Sequence, residues 1–465
     1  MTAEATIRPD PQPVVEALTE KLGDKVSTAP AILDHHGHAE GWFPNAPPDA
    51  VVFAQSTEDV AVAVRLCADF KIPVIPFGTG TSLEGHVAAL QGGICIDVSQ
   101  MNAVLEVNAE DLDCRVQAGV TRKQLNTELR ETGLFFPIDP GADASLGGMA
   151  STRASGTNAV RYGTMRENVL GLTVVTADGT VIRTGGRAKK SAAGYDMTRL
   201  FVGAEGTLGV ITEVHLRLYG MPEAMTSAVC QYPSVADAVN TVIETIQIGV
   251  PVARIEFLDE VQMDACISYS QLEGYDARPT LFFEFHGTEA SAAEQAETVR
   301  QISDGNGGTA FQWTEHAEER NRLWQARHDA WYAALALAPG KKGIATDACV
   351  PISRLADCIE ETRADIDETG LIAPIVGHVG DGNFHLVILY DPDDEDETRK
   401  AKGIVERLNM RAIGMQGTCT GEHGIGAGKM HFLQVEHGET VAYMRKIKKA
   451  LDPDGIMNPG KMFSA

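Results

Sequence analysis

Short apolar runs separated by glycine-rich loops make up the first half of the chain. The run at residues 49–55 predicts a strand, and Ser56 or Thr57 can cap a helix after it. Asp178 and Gly179 join two alternating segments, which is typical of a hairpin with a type I′ turn. We therefore expect an α/β arrangement here. The remaining pattern predicts strands at residues 73–76, 93–98, 104–108, 113–118, 172–176 and 180–183, and a helix at residues 121–132.

After Gly220 the apolar runs alternate with longer amphipathic segments. The pattern predicts a strand at residues 227–232, a helix at 235–248, a strand at 280–286 and a helix at 290–302. This order fits a β-α-β-β-α-β arrangement of the ferredoxin-like kind. Further helices are expected at residues 318–338, near 395–413, and in a basic segment that ends at Leu451.

Composition narrows the class of protein. The 465 residues include 39 basic and 64 acidic side chains, for a formal charge of −25, which disfavours nucleic acid and anionic membranes as partners. The chain has no apolar run long enough for a transmembrane segment, and residues 1–30 lack both the apolar core of a secretion signal and an Arg-rich amphipathic presequence. The eight cysteines form no C-x-x-C pair, which excludes a zinc ribbon and indicates a reducing compartment. We therefore expect a cytoplasmic location.

Two glycine-rich loops, at residues 76–82 and 140–148, also carry several hydroxyl groups. The G-x-G in the first loop does not continue as a Rossmann fingerprint, because Leu83 stands where the third glycine is required. Backbone N–H groups and hydroxyls in two such loops can instead cradle an anion such as a pyrophosphate. The alternative is that these glycines only form turns.

Four motifs in this order resemble the flavin domain of the vanillyl-alcohol-oxidase superfamily: P-F-G-T-G-T-S-L-E-G, P-G-A-D-A-S-L-G-G-M, A-S-G-T-N-A-V-R-Y-G-T and G-A-E-G-T-L-G-V-I-T. The resemblance implies FAD held in extended form between two α/β subdomains, with its pyrophosphate on the first two loops. Thr81 stands where some members carry the histidine that attaches the flavin, and His86 lies outside the motif. The resemblance therefore implies non-covalent FAD.

The residues that this resemblance assigns to FAD binding lie in the four motifs and near the end of the chain. They are Pro76, Gly78, Thr79, Gly80, Thr81, Ser82, Pro140, Gly141, Ala142, Ser145, Gly147, Gly148, Ser155, Gly156, Tyr162, Gly163, Glu205, Gly206, Ile211 and Asn458.

His378 and His385 flank a glycine-bearing turn between two apolar segments. A hairpin would bring both imidazoles to one end, and Glu422 and His423 follow in another glycine-rich loop. Two imidazoles and one carboxylate suit a divalent metal, either Zn²⁺ or, with added oxygen ligands, Mn²⁺. The alternative is a pair of hydrogen-bonded structural histidines.

The order G-H-V-G-D-G-N-F-H and then G-E-H-G-I-G is similar to the C-terminal domain of FAD-linked D-2-hydroxyacid dehydrogenases. The resemblance implies that His378, His385 and Glu422 bind the metal and that His423 is the general base, which removes the hydroxyl proton while hydride passes from C2 to flavin N5. Arg327 matches the arginine that clamps the substrate carboxylate in this family. Without the resemblance, Arg327 would be read as a solvated helix residue.

Together the resemblances predict an α+β chain with three parts. These are an N-terminal segment (1–43), a two-subdomain FAD-binding domain of the PCMH/VAO type (44–222), and an FAD-linked oxidase C-terminal domain (223–465). The last part would hold a ferredoxin-like substrate (cap) domain with the metal site, and a C-terminal helical segment that returns to the FAD domain.

Two positions favour one branch of the family. Ala345 and Val387 stand where D-2-hydroxyglutarate dehydrogenases carry a lysine and an asparagine, and A-T-D-A-C-V-P-I-S-R-L resembles the cytochrome-type D-lactate dehydrogenase branch. The resemblance implies oxidation of D-lactate to pyruvate, with cytochrome c, a quinone or an electron-transfer flavoprotein as acceptor. A glycolate oxidase flavoprotein subunit, a D-2-hydroxyglutarate dehydrogenase and an inactive FAD-binding assembly subunit are the alternatives. The oligomeric state is left open, with a homodimer as one alternative.

Overall fold

The computed structural model describes residues 9–38, 43–314 and 316–463. The chain forms two compact units. The first unit contains the described residues up to Ala154, then Thr164–Gly220, and then the described residues from His423 onward. The second unit contains Ser155–Gly163 and Met221–Glu422, so its two pieces are separated in sequence.

The strands are β1 (Val26–Ser27), β2 (Ala50–Phe53), β3 (Val74–Phe77), β4 (Ile94–Asp97), β5 (Val104–Asn108), β6 (Asp113–Gln117), β7 (Leu134–Phe135), β8 (Val169–Thr176), β9 (Val181–Gly185), β10 (Gly209–Arg217), β11 (Tyr219–Gly220), β12 (Ala224–Gln231), β13 (Arg254–Leu258), β14 (Thr280–Gly287), β15 (Thr309–Thr314), β16 (Lys342–Ala345), β17 (Ala348–Cys349), β18 (Ile375–His378) and β19 (Asn383–Tyr390).

The α-helices are α1 (Gln12–Leu22), α2 (Pro30–Gly37), α3 (Thr57–Phe70), α4 (Arg122–Glu128), α5 (Leu146–Thr152), α6 (Ala159–Tyr162), α7 (Met165–Asn168), α8 (Met197–Phe201), α9 (Val235–Gln247), α10 (Glu260–Ser270), α11 (Glu289–Gly305), α12 (Ala317–His328), α13 (Ala330–Ala336), α14 (Leu355–Thr369), α15 (Glu395–Gly414), α16 (Met430–His437) and α17 (Thr440–Leu451). Single 3₁₀ turns occur at Gly23–Lys25, Arg130–Thr132, Ile352–Arg354 and Val379–Asp381.

A four-stranded sheet in the order β1-β2-β4-β3 forms one half of the first unit. Strands β2, β4 and β3 are parallel, which requires a crossover, and α3 supplies it between β2 and β3. The predicted cap of α3 is confirmed, because Ser56 Oγ accepts the Asp59 N–H at 3.1 Å. The end of the chain joins this sheet, since the Val74 N–H donates to the Ile456 carbonyl at 2.8 Å.

A five-stranded antiparallel sheet, β5-β6-β10-β8-β9, forms the other half of the first unit. Strands β8 and β9 pair across the turn at Asp178 and Gly179, so the predicted hairpin is confirmed. The predicted turn type is wrong, because a type I′ turn needs positive φ at both central residues and Asp178 does not have it. The Asp178 carboxylate accepts the Thr180 N–H at 3.0 Å, and Gly179 has a φ of +76°. A residue with a side chain in place of Gly179 would strain the turn, because positive φ favours glycine.

The second unit is built on a sheet in the order β15-β12-β14-β13-β18-β19-β16, with β17 also paired to β19. Its first four strands, with α9 and α11, have the strand order of a ferredoxin-like β-α-β-β-α-β arrangement, and α10 is inserted between β13 and β14. The sequence pattern did not predict strands β13 and β15. The core includes Phe257, Phe283, Phe285 and Phe384, all completely or almost completely buried. The predicted α+β fold class is confirmed.

The observed units differ from the predicted domains at two places. Residues 9–38, predicted to be a separate segment, pack within the first unit, where β1 pairs with β2 and Lys25 Nζ contacts Asp59 Oδ2 at 2.7 Å. Residues 39–42 of that predicted segment lie outside the described residues. Ser155–Gly163, predicted within the FAD domain, belongs to the second unit. There Arg254 Nε donates to Asn158 Oδ1 at 3.0 Å.

The predicted helix at residues 318–338 is interrupted. Asp329, with a φ of −78° and a ψ of 1°, ends α12, and α13 begins at the next residue. Trp324 on α12 is buried, and its Nε1 donates to Ser227 Oγ at 2.9 Å, so this side chain packs in the core. Among the helices of the described residues, none combines the length and apolar character that crossing a bilayer requires.

Candidate active site

His378, His385 and Glu422 come together in the second unit. His378 ends β18 and His385 lies in β19, and the antiparallel register pairs Val376 with His385, so both imidazoles project from the same face of the sheet. Glu422 Oε1 lies 3.4 Å from His378 Nε2 and 3.5 Å from His385 Nε2. One potential ligand atom from each residue lies within 4.8 Å of the others. The hairpin expected from the sequence therefore brings the two histidines together, and the loop that carries Glu422 adds the third predicted ligand.

Hydrogen bonds define which nitrogen of each imidazole faces Glu422. The Thr346 carbonyl can only accept, so His385 Nδ1, at 2.8 Å from it, carries the proton. His378 Nδ1 donates in the same way to Glu256 Oε1 at 2.7 Å. Both Nε2 atoms thereby face Glu422. Two imidazole nitrogens, each supported through the other ring nitrogen, and one carboxylate oxygen form a donor set that fits a divalent cation.

Glu256, which the sequence did not single out, connects two of the predicted site residues. It is completely buried in β13, where Oε1 accepts from His378 Nδ1 and Oε2 accepts from Arg327 Nη2 at 2.5 Å. Burial raises the pKa of Glu256, but the nearby His378 and Arg327 lower it by more, so the net pKa lies below the ordinary value. A glutamate inside the apolar strand R-I-E-F-L was a signal that some buried cation must pair with it, although the sequence did not identify the partner.

Burial and charge act in opposite directions on His378. Burial lowers the pKa of this imidazole, but Glu256 and Glu422 raise it by more, and the net pKa lies well above the ordinary value. Two carboxylates therefore favour positive charge at this position, which a divalent cation also supplies.

Asp347 holds the loop that carries Glu422. Its Oδ2 accepts the Glu422 N–H at 2.9 Å and the Thr420 hydroxyl at 2.7 Å, while its Oδ1 accepts from Asn383 Nδ2 at 2.7 Å. Asp347 is completely buried. Asn383 thus helps to hold Asp347 in place.

Arg327 is buried despite its charge, with 9% of the residue exposed. Nη2 pairs with Glu256, whereas the buried Nε has no hydrogen-bond partner among the described residues. A buried donor without a partner is costly, so a ligand that accepts from Nε would stabilise this side chain. The reading of Arg327 as a solvated helix arginine is wrong.

An apolar pair lies beside His385. Ala345 in β16 is the direct cross-strand partner of Val387 in β19, and Val387 is two residues after His385, on the same face of the sheet. Val387 also packs in a small cluster with Ala334 and Trp331. This patch offers apolar surface near the histidines.

In the first unit, the two glycine-rich loops touch each other. A Cβ added to Gly78 would lie 2.3 Å from Ser145 Oγ, so only glycine permits this approach. The buried hydroxyls of Ser82 and Ser145 have no hydrogen-bond partner among the described residues. Two closely apposed loops with unpaired hydroxyl groups fit an anionic ligand such as the pyrophosphate of FAD. Thr79, Gly80 and Thr81 lie in the first of these loops, and Pro140, Gly141, Ala142, Gly147 and Gly148 lie in or beside the second.

The carboxylate of Glu205 is hydrogen-bonded within the first unit. Its two oxygens accept the N–H groups of Ile425 and Gly426, each at 2.7 Å, and Oε2 lies 3.0 Å from His86 Nε2. Burial raises the pKa of Glu205, but His86 and the hydrogen bonds lower it by more, so the net pKa lies below the ordinary value. These contacts stabilise the loop that begins at His423, the residue bonded directly to Glu422. Cofactor contact by Glu205 stays a prediction.

The other predicted FAD residues are divided between the units. Pro76 and Gly206 lie close together in the first unit, where a Cβ on Gly206 would be 2.8 Å from Pro76 Cγ. Asn458 Nδ2 donates to the Glu205 carbonyl at 2.8 Å, and Ile211 is buried in β10. Ser155, Gly156, Tyr162 and Gly163 fall instead in the second unit. The Tyr162 hydroxyl there is hydrogen-bonded to His286 Nδ1 at 2.8 Å.

Comparison with known proteins agrees with this architecture. Residues 221–462 match the family of FAD linked oxidases, C-terminal domain, and residues 48–185 match the FAD binding domain. A probable D-lactate dehydrogenase, mitochondrial, from Danio rerio is 54% identical, over 97% of this chain and 91% of its own length. A D-lactate dehydrogenase [cytochrome], mitochondrial, from Arabidopsis thaliana is 46% identical, over 97% and 80%. The structure of a 4-ethylphenol oxidase from Gulosibacter chungangensis, 20% identical with a TM-score of 0.79 and 97% coverage of both chains, shares the fold.

The expected cytoplasmic location is wrong, because both relatives are named mitochondrial. The expectation depended on the scattered cysteines and on the targeting signals that residues 1–30 lack; all eight cysteines are free thiols. Free thiols indicate a reducing environment, but they do not distinguish one reducing compartment from another.

One family match spans more than half of the chain, and two relatives are 46% and 54% identical over 97% of it. The chain belongs to the FAD-linked oxidases, an enzyme family, and carries their FAD binding domain followed by their C-terminal domain.

Proposed function

We propose that the chain is a metal-dependent D-2-hydroxyacid dehydrogenase that uses non-covalent FAD to oxidise D-lactate to pyruvate. The observation that carries this proposal is the convergence of His378 and His385 Nε2 on Glu422, with Arg327 joined to the same cluster through Glu256. The names of the relatives from Danio rerio and Arabidopsis thaliana support D-lactate as the substrate.

Arg327 binds the substrate carboxylate. Its buried guanidinium has one edge on Glu256 and an Nε without a partner among the described residues, so it can donate to a carboxylate oxygen. A 2-hydroxy acid bound there would present its hydroxyl on the adjacent carbon toward His378, His385 and Glu422, which would hold the cation.

His423 accepts the hydroxyl proton. A neutral imidazole has one ring nitrogen with a free lone pair, so a histidine can accept a proton near neutral pH. When bound, a divalent cation would stabilise negative charge on the hydroxyl oxygen and FAD would supply the hydride acceptor. The backbone contacts of Glu205 to Ile425 and Gly426 keep the loop of His423 in a defined conformation.

Ala345 and Val387 favour a short apolar side chain on the substrate. They are cross-strand partners near His385, and neither offers a hydrogen bond to a second carboxylate. Leaving a buried charge without a partner is strongly unfavourable, so D-2-hydroxyglutarate would bind poorly. We favour a cytochrome as the electron acceptor, because the Arabidopsis thaliana relative is named for one; a quinone and an electron-transfer flavoprotein are the alternatives.

His423→Ala tests the chemistry directly. We expect dye reduction by D-lactate to fall by at least about 10²-fold, the usual contribution of a general base, while the bound flavin keeps its absorption. The wild type should prefer D-lactate to glycolate and D-2-hydroxyglutarate in kcat/KM. Full activity in His423→Ala would refute the assigned base, and a wild type that oxidises none of the three acids would refute the proposed function.

A further inference from the structure

The hydrogen bonds of Glu256 connect two residues to which the proposed function gives different roles. Its two carboxylate oxygens are divided between Arg327, the carboxylate clamp, and His378, a cation ligand. These three residues come from α12, β13 and β18, which are far apart in sequence. One completely buried side chain therefore links the two groups that would hold opposite ends of a 2-hydroxy acid.

We propose that Glu256 is a positioning residue that sets the spacing between the carboxylate clamp and the cation site, and thereby selects 2-hydroxy acids. This inference rests on the proposed function. The carboxylate and hydroxyl of a 2-hydroxy acid are on adjacent carbons, whereas those of a 3-hydroxy acid are one carbon further apart. A rigid bridge between Arg327 and His378 favours the shorter spacing.

Glutamine cannot reproduce this bridge. Arg327 Nη2 and His378 Nδ1 are both donors, and each uses a different oxygen of Glu256. An amide has one acceptor oxygen and one NH₂ donor, so Glu256→Gln leaves one of the two donors facing another donor. Groups that hold a ligand imidazole from behind usually contribute about 10- to 100-fold to metal affinity.

The same sheet offers a matched control. Glu284 lies on the neighbouring strand β14, opposite Arg254 and on the same face as Glu256. It is also buried between a histidine and an arginine, with Oε1 2.8 Å from His286 Nε2 and 3.5 Å from Arg254 Nε. Glu284→Gln therefore makes the same chemical change in a similar environment, without touching a predicted metal ligand.

The first measurement is Zn²⁺ affinity of the full, FAD-containing chain, by competition with a chelator and without substrate. We expect Glu256→Gln to weaken Zn²⁺ binding by at least about 10-fold, and Glu284→Gln to stay within about twofold of the wild type. Equal Zn²⁺ affinity in the two variants would overturn the proposal. Flavin absorption and thermal unfolding show whether each variant is folded.

The second measurement is the ratio of kcat/KM for D-lactate to that for D-3-hydroxybutyrate. We expect Glu256→Gln to reduce this ratio by about 10-fold, because small misplacements of reacting groups have large effects on rate. Glu256→Asp keeps the charge but is shorter by one methylene, so it should resemble Glu256→Gln in both measurements. A Glu256→Asp variant like the wild type, or an unchanged ratio in Glu256→Gln, would overturn the spacing role.

Failure of this inference and failure of the proposed function are distinguishable. If the wild type oxidises D-lactate and Glu256→Gln keeps both its Zn²⁺ affinity and its substrate ratio, only the role of Glu256 is refuted. If the wild type oxidises no hydroxy acid, the proposed function is refuted and so is the selection of 2-hydroxy acids. The Zn²⁺ affinities then still decide whether Glu256 positions His378.

Discussion

The proposed cation site of the second unit and the proposed flavin loops of the first unit (residues 76–82 and 140–148) are constructed in opposite ways. The cation site places two imidazoles on strands and one carboxylate on a loop, and each is held by a second partner: Glu256 behind His378, the Thr346 carbonyl behind His385 and Asp347 at the Glu422 N–H. The flavin loops use a close approach of Gly78 to Ser145 and hydroxyls that have no partner among the described residues. Charged ligands need strong local support, whereas an anion cradle needs space and free donors.

Removing one predicted metal ligand should have the largest effect on activity and metal affinity, and it tests this contrast. His385→Ala removes an Nε2 that only a side chain can supply, so we expect kcat/KM for D-lactate to fall by about 10³-fold and Zn²⁺ affinity to fall with it. Flavin content, measured by absorption, should stay at the wild-type level. Loss of FAD together with the metal would show that FAD binding depends on the metal ligands, which would contradict this expectation.

A medium effect is expected in the flavin loops. In Gly78→Ala the new Cβ would lie 2.3 Å from Ser145 Oγ and push the loops apart. Strain of about 1–3 kcal/mol would weaken FAD binding by roughly 5- to 150-fold. Flavin release followed by fluorescence measures this affinity.

Gly186→Ala is the control for that variant, because a Cβ there would meet no atom within 4 Å. It should bind FAD like the wild type. Zn²⁺ affinity should be unchanged in both glycine variants. Normal FAD affinity in Gly78→Ala would show that the loops tolerate a side chain and do not depend on their close approach.

The smallest effect concerns one hydroxyl. Ser82→Ala removes a buried Oγ that we expect to donate to the cofactor, and one hydrogen bond of about 1 kcal/mol corresponds to about fivefold in FAD affinity. Ser270 in the second unit also has a buried Oγ without a partner among the described residues, so Ser270→Ala is the matched control. Equal FAD affinity in the two serine variants would exclude Ser82 from the cradle.

Local patterns predicted much of the molecule. The Asp178-Gly179 hairpin, the Ser56 cap and the meeting of His378 with His385 all depend on residues close together in sequence. Each follows from backbone preferences and the twofold alternation of strands, which act over a few residues. The glycine-rich loops were likewise visible before the fold was known.

Contacts between residues far apart in sequence could be identified only from the tertiary structure. The partners of Glu256 lie 71 and 122 positions away, and Asp347 supports Glu422 across 75 positions. The membership of Ser155–Gly163 in the second unit also depends on distant contacts, such as Arg254 with Asn158. The sequence alone determined the fold class, because local propensity encodes it, and it indicated the family through the resemblance of its motifs to known ones. Only the folded chain decided which buried charges are paired, because such pairs form wherever packing brings opposite charges together.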